Sequence, residues 1–309
     1  MVQNELQQIQ DLVNQVIKGK EDVVCKVLAA MIGGGHILME DIPGVGKTTL
    51  ATTFAKALSL DYHRVQFTPD VLPSDILGFS MFNNKTGEFE FRPGSIFCNL
   101  FLADEINRTS PKTQSALLEV MEERQVSVDG ETRKLQEPFT VIATQNASGS
   151  SGTQMLPESQ MDRFMVCLSM GYPEHDAAVA ILKGEVWKQV SRVQRIITGE
   201  QLLQLQKAAE EIFVHDSIYD YIVALAEETR THELFSAGAS PRATIALLRM
   251  GRAMALIAGR DYVTAQDIQR VLKDVLGHRV KLSPRARAEG KSMDDCILAL
   301  MQAVKSPRI

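Results

Sequence analysis

Short apolar runs alternate with amphipathic helical patterns from the start of the chain to about residue 170. Five of these runs predict buried strands, at residues 36–40, 64–67, 98–103, 139–144 and 165–168. Residues 48–60 and 111–123 have helical spacing, and the second stretch follows Ser110-Pro111, an N-cap with proline in the first turn. This alternation predicts an α/β fold of three layers, with a mainly parallel sheet in the middle.

Two predicted hairpins interrupt this layout. Residues 83–92 contain a glycine turn, after which Phe89 and Phe91 alternate with charged residues. Residues 126–135 turn at Asp129-Gly130, a strong short-range hairpin signal. We expect both hairpins to be insertions in the α/β core.

The pattern changes near residue 172, and the rest of the chain is almost entirely helical in its periodicity. Leu202, Leu205, Ala209 and Ile212, for example, are spaced to lie on one apolar helix face. We therefore predict two domains, an α/β domain at residues 1–172 and a smaller helical domain at residues 173–309.

Composition narrows the classes of protein to consider. Hydrophobic residues make up 45% of the chain, charged residues make up 23%, and the formal net charge of -5 argues against bulk attraction to nucleic acid. The polar N-terminus does not resemble a signal peptide, and no apolar run reaches the ~20 residues that span a bilayer. The four cysteines are scattered, which is typical of small buried side chains in a reducing compartment. We expect a soluble, cytoplasmic protein.

The first candidate site is the segment DIPGVGKT, from Asp41 to Thr48. It follows an apolar strand and precedes a helix, as a phosphate-binding P-loop does. Lys47 would reach the β- and γ-phosphates, and Thr48 would place its hydroxyl on Mg²⁺. Asp41 stands where the GxxxxGK[ST] pattern has its first glycine, so a glycine loop without a ligand is the alternative. The expected phosphate-binding residues are Pro43, Gly44, Val45, Gly46, Lys47, Thr48 and Thr49.

Two acids follow the predicted strand at residues 98–103. Asp104 would hold the water shell of Mg²⁺, as in a Walker B motif. Glu105 would orient and polarise the attacking water. The alternative is a strand that ends in two solvated acids, but their order after Lys47-Thr48 favours a hydrolytic site.

Polar groups that respond to the γ-phosphate are the remaining candidates. The strand at residues 139–144 ends at Gln145-Asn146, and we select Asn146 as the sensing amide, with Gln145 as its rival. Both amides could instead satisfy backbone groups of the loop. Arg163 and Arg242 could stabilise charge on the γ-phosphate, although each could also be a structural ion-pair partner.

Together these motifs resemble the MoxR group of AAA+ ATPases. Residues 103–126, ADEINRTSPKTQSALLEVMEERQV, are similar to that group's signature almost residue for residue. Residues 40–48, EDIPGVGKT, are similar too, because the group often has an acid in place of the first P-loop glycine. Further matches follow in the family's order at residues 143–146, 156–158, 162–164 and 238–242.

The resemblance implies a role for each candidate. Asn146 becomes sensor 1, Arg163 an arginine finger donated to a neighbouring subunit, and Arg242 a sensor 2 in the ATP site of its own chain. Residues 17–20 would lie near the adenine, and the two hairpins would face a central pore or a partner. Ala147-Ser148 is a departure, since the family usually has proline after the asparagine.

The resemblance also implies a function. ATP and Mg²⁺ would be the cofactors, ATP would be hydrolysed to ADP and phosphate, and the chain would form a homo-oligomer, a hexameric ring. The ring would remodel or mature a client protein or a von Willebrand factor A domain partner.

Three other functions can be weighed against this one. A GTPase is rejected because its Asn-Lys-x-Asp motif is missing, and residues 84–87 (NKTG) are the nearest match. A nucleotide-binding module without turnover is disfavoured because the hydrolytic set is complete. A nucleic-acid motor is disfavoured by the net charge and by sparse aromatic residues, 6% of the chain. Its support is two basic stretches, with Lys183, Lys188, Arg192 and Arg195 in one and Arg279, Lys281, Arg285, Arg287 and Lys291 in the other.

Overall fold

A computed structural model describes residues 2–146 and 155–307. The helices are α1 (Val2–Val16), α2 (Glu21–Ile32), α3 (Lys47–Ala57), α4 (Pro73–Leu77), α5 (Pro111–Glu123), α6 (Glu158–Met161), α7 (His175–Leu182), α8 (Glu185–Arg192), α9 (Gly199–Glu211), α10 (Asp216–Thr231), α11 (Pro241–Ile257), α12 (Ala265–Leu276), α13 (Pro284–Ala288) and α14 (Met293–Ala303). The strands are β1 (Ile37–Glu40), β2 (Tyr62–Gln66), β3 (Gly78–Asn83), β4 (Glu88–Pro93), β5 (Leu100–Asp104), β6 (Gln125–Val128), β7 (Glu131–Lys134), β8 (Thr140–Gln145), β9 (Val166–Leu168), β10 (Phe235–Ala237) and β11 (Lys281–Leu282).

The central sheet has five parallel strands in the order β2-β5-β8-β1-β9. Side chains alternate between its faces, so that Ile37 and Met39 join one buried cluster while Leu38 joins another. A parallel sheet that is covered on both faces needs apolar residues at successive positions, which explains the uninterrupted apolar runs in the sequence. The predicted α/β fold and its five strands are confirmed.

The two faces are covered differently. Helix α5 packs on one face, where Phe101 and Leu117 share a buried cluster. On the other face, one continuous cluster joins the N-terminal helices to the C-terminal helical part, from Leu28 of α2 to Leu247 of α11. Helix α11 contacts α2, and α12 contacts β9. The helical C-terminal part is therefore fixed against α2 and β9, while the domain boundary at residue 172 stays a prediction.

The two hairpins differ in how well they were predicted. Strands β6 and β7 pair with Val128 opposite Glu131, and both turn residues, Asp129 and Gly130, have positive φ, as expected. The other hairpin is longer than the predicted residues 83–92. Asn83 pairs with Glu88, so Asn83 is the last residue of the first strand and the turn follows it. The hairpin therefore spans Gly78 to Pro93.

Two further expectations from the sequence concern membrane-spanning helices and the cysteines. Among the residues described, no helix has both the length and the apolar composition needed to cross a membrane. Cys25, Cys98 and Cys296 are free and buried, and Cys167 is partly buried. Burial raises the pKa of the Cys98 thiol to about 12, so this side chain behaves as a small apolar group.

Candidate active site

The P-loop, the two acids and the sensing amide converge at one edge of the sheet, where the parallel strands end. We call this the carboxyl edge. Asp41 follows β1, Glu105 follows β5, and Asn146 follows β8. Because these three strands are neighbours in the sheet, residues that are far apart in sequence meet there.

Glycines shape the phosphate-binding loop at residues 41–46. Gly44 and Gly46 have φ angles of 84° and 101°, which disfavour a residue with a side chain. A Cβ added at Gly44 would meet no atom within 4 Å, so the outer surface of the loop is open. Gly46 is the N-cap of α3, whose first N–H groups are therefore available to an anion.

Lys47 is the cation of this loop. Lys47 is only 8% exposed, and its Nζ donates to the Asp41 carbonyl oxygen at 3.2 Å. Burial lowers the pKa of Lys47, while the carboxylates of Asp41, Asp104 and Glu105 act in the opposite direction. Thr48 and Thr49 follow in the same helical turn. A buried ammonium in an open, glycine-rich loop fits a phosphate group.

Asp41 explains the departure from the usual P-loop pattern. Its carboxylate accepts hydrogen bonds from Ser169 Oγ at 2.7 Å, from Met170 N at 2.6 Å and from Gly171 N at 2.9 Å. The side chain thus ties the start of the loop to the segment after β9. Sequence reasoning could not find this contact, because its partners lie about 130 residues away.

The segment expected near the adenine, residues 17–20, lies beside the same connection. Lys20 Nζ donates to the Tyr172 carbonyl oxygen at 3.0 Å. A Cβ added at Gly19 would lie 3.3 Å from Glu174 Cδ. Since Asp41 ties the neighbouring residues 169–171 to the P-loop, residues 17–20 are near the base of the loop, and their contact with adenine stays a prediction.

Asp104 is held by two donors at the end of β5. Its Oδ1 accepts from Thr144 Oγ at 2.6 Å, and its Oδ2 accepts from Arg64 at 2.7 Å. The Thr144 hydroxyl in turn accepts from the Glu105 backbone N–H at 2.8 Å. Sequence reasoning missed Thr144 and Arg64. Thr144 could have been found from its place at the end of a strand beside β5.

Glu105 lies in the left-handed region, with φ of 57°, and its carboxylate has three donors. Asn146 Nδ2 donates to Oε1 at 3.1 Å, while Gln66 Nε2 and Arg108 donate to Oε2 at 2.8 and 2.7 Å. Gln145 is fully buried, and its amide atoms have no hydrogen-bond partner within residues 2–146 and 155–307. The geometry therefore favours Asn146 over Gln145. Ala147 and Ser148, the noted departure, lie outside the described residues.

The two arginines lie at the opposite edge of the sheet, where the parallel strands begin. We call this the amino edge. Arg163 precedes β9 and forms an ion pair with Glu122 at 2.6 Å, and Arg242 pairs with the other oxygen of the same carboxylate. The structure does not bring Arg242 to the P-loop of its own chain, as a sensor 2 of the resident site requires. The reason is the position of α11, which packs on α2 and begins where Ser240 donates to Asp162 at 2.8 Å.

A cleft of about 700 Å³ adjoins these arginines. Residues 33–36, which precede β1, form part of its wall, so it belongs to the amino edge. Arg249 and Arg252 of α11 also line it, which makes the cleft basic. An anion supplied from outside the chain would be attracted here.

The second basic stretch is largely neutralised by carboxylates. Arg279 is buried and pairs with Asp162 at 2.8 Å. Lys281 pairs with Glu158. Arg285 pairs with both Glu233 and Glu289, and Lys291 also pairs with Glu289. These contacts offer little free positive charge for a nucleic-acid backbone.

The donor set at the carboxyl edge fits a nucleotide with its metal. Thr48 and Asp104 offer the hydroxyl and carboxylate oxygens that Mg²⁺ prefers, and the open surface at Gly44 leaves room for phosphates. An open glycine loop follows one strand, and two adjacent acids lie at the end of another strand of the same parallel sheet. This combination defines a P-loop nucleotide-binding protein.

Residues 36–166 match the ATPase family associated with various cellular activities (AAA), and residues 227–299 match the AAA lid domain.

Individual relatives narrow the class. The protein named Chaperone MoxR1 from Mycobacterium tuberculosis is 39% identical over 308 residues, covering 96% of this chain and 81% of that protein. The uncharacterised protein YeaC from Bacillus subtilis is 47% identical over 296 residues, and the alignment covers 96% of this chain and 92% of YeaC. A crystal structure of a candidate ATPase from Cytophaga hutchinsonii aligns with a TM-score of 0.89 and 38% identity, covering 99% and 96% of the two chains. The chain belongs to the MoxR family of AAA+ ATPases.

Proposed function

We propose that the chain hydrolyses ATP with Mg²⁺ at sites formed between neighbouring copies of itself. One observation carries the proposal. The P-loop and the acids lie at the carboxyl edge, whereas Arg163 and Arg242 lie at the amino edge, on Glu122. One chain therefore has all the parts of an ATPase site but does not bring them together.

The carboxyl edge would bind the nucleotide. Main-chain N–H groups of residues 44–48 and the Lys47 ammonium would hold the phosphates. Thr48 and Asp104 would hold Mg²⁺, which neutralises charge on the β- and γ-phosphates when it is bound. Thr144 and Arg64 fix the Asp104 carboxylate, so its direction is set before the nucleotide arrives.

Glu105 would activate the attacking water as a general base. Asn146 donates to Oε1, and Gln66 and Arg108 donate to Oε2, so the carboxylate has a defined orientation. Asn146 can also contact the γ-phosphate, since it lies beside the base at the end of the neighbouring strand. Its position suits a group that couples the phosphate to the base.

The neighbouring copy would supply the arginines. An arginine that enters from outside the site can contribute about 10³- to 10⁵-fold in rate, because negative charge spreads over the γ-phosphate oxygens. The carboxyl edge of one copy would then face the amino edge of the next. Such a head-to-tail interface generates a closed ring when the rotation between copies closes, and we propose that it closes as a hexamer.

The ring would act on a partner protein. The relative named Chaperone MoxR1 supports a chaperone-like role. The hairpin of β3 and β4 offers an apolar contact surface, where Phe82 and Phe89 are 48% and 74% exposed and their rings pack 5.4 Å apart. A client or a von Willebrand factor A domain partner and a cytoplasmic location remain predictions from the sequence.

Mixing two inactive variants tests the shared site. Lys47→Ala damages the carboxyl edge and Arg163→Ala damages the amino edge, so each protein alone should be inactive. A mixed ring contains interfaces with both edges intact, and the mixture should regain activity. Lys47→Ala mixed with Glu105→Gln is the matched control, because both changes damage the carboxyl edge and no interface is restored. If the first mixture co-assembles and stays as inactive as the control, the proposal is wrong.

A further inference from the structure

Glu122 occupies a position that the sequence motifs did not single out. It lies in the last turn of α5, and its two carboxylate oxygens contact different arginines. Oε2 lies 2.6 Å from Arg163, and Oε1 accepts from Arg242. One carboxylate thus joins Arg163, which precedes β9, to Arg242, which lies in the first turn of α11.

The two arginines have few other restraints. Arg163 also donates to the Leu118 carbonyl oxygen at 2.9 Å, whereas Arg242 makes no other ion pair within the described chain. The two side chains are 31% and 47% exposed, so each has free space to rotate into. Two guanidinium groups placed this close repel each other unless an anion lies between them. Removal of Glu122 would therefore separate them.

The helix that carries Glu122 is firmly placed. Helix α5 begins at the carboxyl edge, where Gln114 Nε2 donates to the Ile106 carbonyl oxygen at 3.1 Å and Ser110 caps the helix. The helix ends at the amino edge, where the Met121 carbonyl oxygen lies 2.9 Å from His36 Nε2. Both ends of α5 are fixed, so the backbone of Glu122 is held in place, and its side chain, which is 39% exposed, is oriented by the two arginines that it contacts.

We propose that Glu122 is a positioning residue that holds Arg163 and Arg242 together as one unit for the phosphates of the neighbouring copy. This rests on the proposed function, in which the amino edge completes the next subunit's site. Glu122 does not touch the nucleotide in this role. It acts by keeping both cations in the orientation that the γ-phosphate requires.

Steady-state kinetics of the full-length ring test the role. Glu122→Ala should lower kcat by about 10- to 100-fold, because a misplaced arginine loses transition-state contact, while KM for ATP changes less than about twofold. Glu122→Gln keeps one hydrogen-bond acceptor without the charge, and its kcat should fall between wild type and Glu122→Ala. Glu123→Ala is the matched control, since Glu123 is the exposed next residue of α5 and makes no ion pair in the described residues.

Mixing experiments show on which side of the interface Glu122 acts. Glu122→Ala should be rescued by Lys47→Ala subunits, whose amino edge is intact. It should not be rescued by Arg163→Ala subunits, because both variants then damage the amino edge. A role of Glu122 in the ATP site of its own chain would give the opposite pattern of rescue, and a purely structural defect would give no rescue in either mixture; either result would overturn the positioning role.

The outcomes separate this inference from the proposed function. Rescue in the mixture of Lys47→Ala and Arg163→Ala supports the shared site whatever Glu122 does. If that mixture recovers and Glu122→Ala is rescued by Arg163→Ala instead, the positioning role is wrong. An increase in kcat in Glu122→Gln would also overturn it, because the carboxylate would then be a restraint on the arginines. Equal kcat values for Glu122→Ala and Glu123→Ala would do the same.

Discussion

Replacement of Asp41 tests whether the unusual start of the P-loop is a structural tether. Asp41→Gly restores the glycine that other P-loops have at this position, and Asp41→Ala is the smaller change in backbone freedom. Both remove a carboxylate that is 5% exposed and accepts three hydrogen bonds from residues 169–171. We expect both variants to be less stable and to bind ATP more weakly, although the first matches the commoner motif.

The magnitude follows from the surroundings of the three donors. Ser169 is exposed and its hydroxyl can turn to water, but Met170 is buried and its N–H would lose its partner. Hydrogen bonds to charged groups contribute about 1.5–3 kcal/mol each, and part of this is offset because a buried carboxylate no longer has to be desolvated. We expect a net loss of about 2–4 kcal/mol, and a decrease in Tm of about 5 °C or more.

The assay combines thermal unfolding with equilibrium binding of ATP. An untethered loop must be ordered when the nucleotide binds, so Kd should rise by about tenfold, the equivalent of 1.4 kcal/mol. Asp70→Ala is the control, since Asp70 is exposed and makes no side-chain hydrogen bond within the described residues. Wild-type Tm and Kd in Asp41→Gly would show that the three contacts stabilise nothing.

Two further predictions concern the base and a buried histidine. Glu105→Gln should keep the affinity for ATP and lose about 10²- to 10⁴-fold in turnover, since only the group that accepts the proton is changed. His36 Nδ1 accepts from the Val141 N–H at 2.9 Å, and burial lowers its pKa from 6.5 to about 4. Because the unfolded chain binds the proton first, stability should be complete above pH 6.5 and fall by about 3 kcal/mol as the pH drops to 4. Chemical denaturation at a series of pH values measures this loss, which should be smaller in His36→Gln.

Each of these predictions has a result that would contradict it. Wild-type turnover in Glu105→Gln would remove Glu105 from the role of base, and Glu119→Gln, on the exposed side of α5, is the control for charge loss. If His36→Gln and wild type lose stability equally between pH 6.5 and pH 4, proton uptake by His36 does not drive the loss.

Local patterns predicted much of the fold. Ser110-Pro111 gave the start of α5 at Pro111, because an N-cap and a first-turn proline are local signals. Asp129-Gly130 likewise located the turn between β6 and β7. The strand before Asn83 was missed because the glycine turn shows where the chain reverses but not how far back the first strand extends, and only pairing with β4 defines its start.

The candidate site was predicted where its residues follow strands. Glu105 and Asn146 follow neighbouring parallel strands that end at the same edge, and Asn146 Nδ2 donates to Glu105 Oε1 there. The contacts of Asp41 with residues 169–171 could not be predicted, because they depend on how β9 pairs with β1. The position of Arg242 depends on how the C-terminal helices pack against α2 and β9, which no local pattern specifies.

The most direct test of the shared site is the ATPase rate per subunit, measured against protein concentration with mass determined on the same samples. We expect a rate that is very low in the 34.2 kDa monomer and rises in step with the fraction of subunits in rings, since only a neighbour would bring Arg163 to the P-loop. A constant rate per subunit down to concentrations at which the protein is shown to be monomeric would contradict it, because one chain would then suffice for hydrolysis.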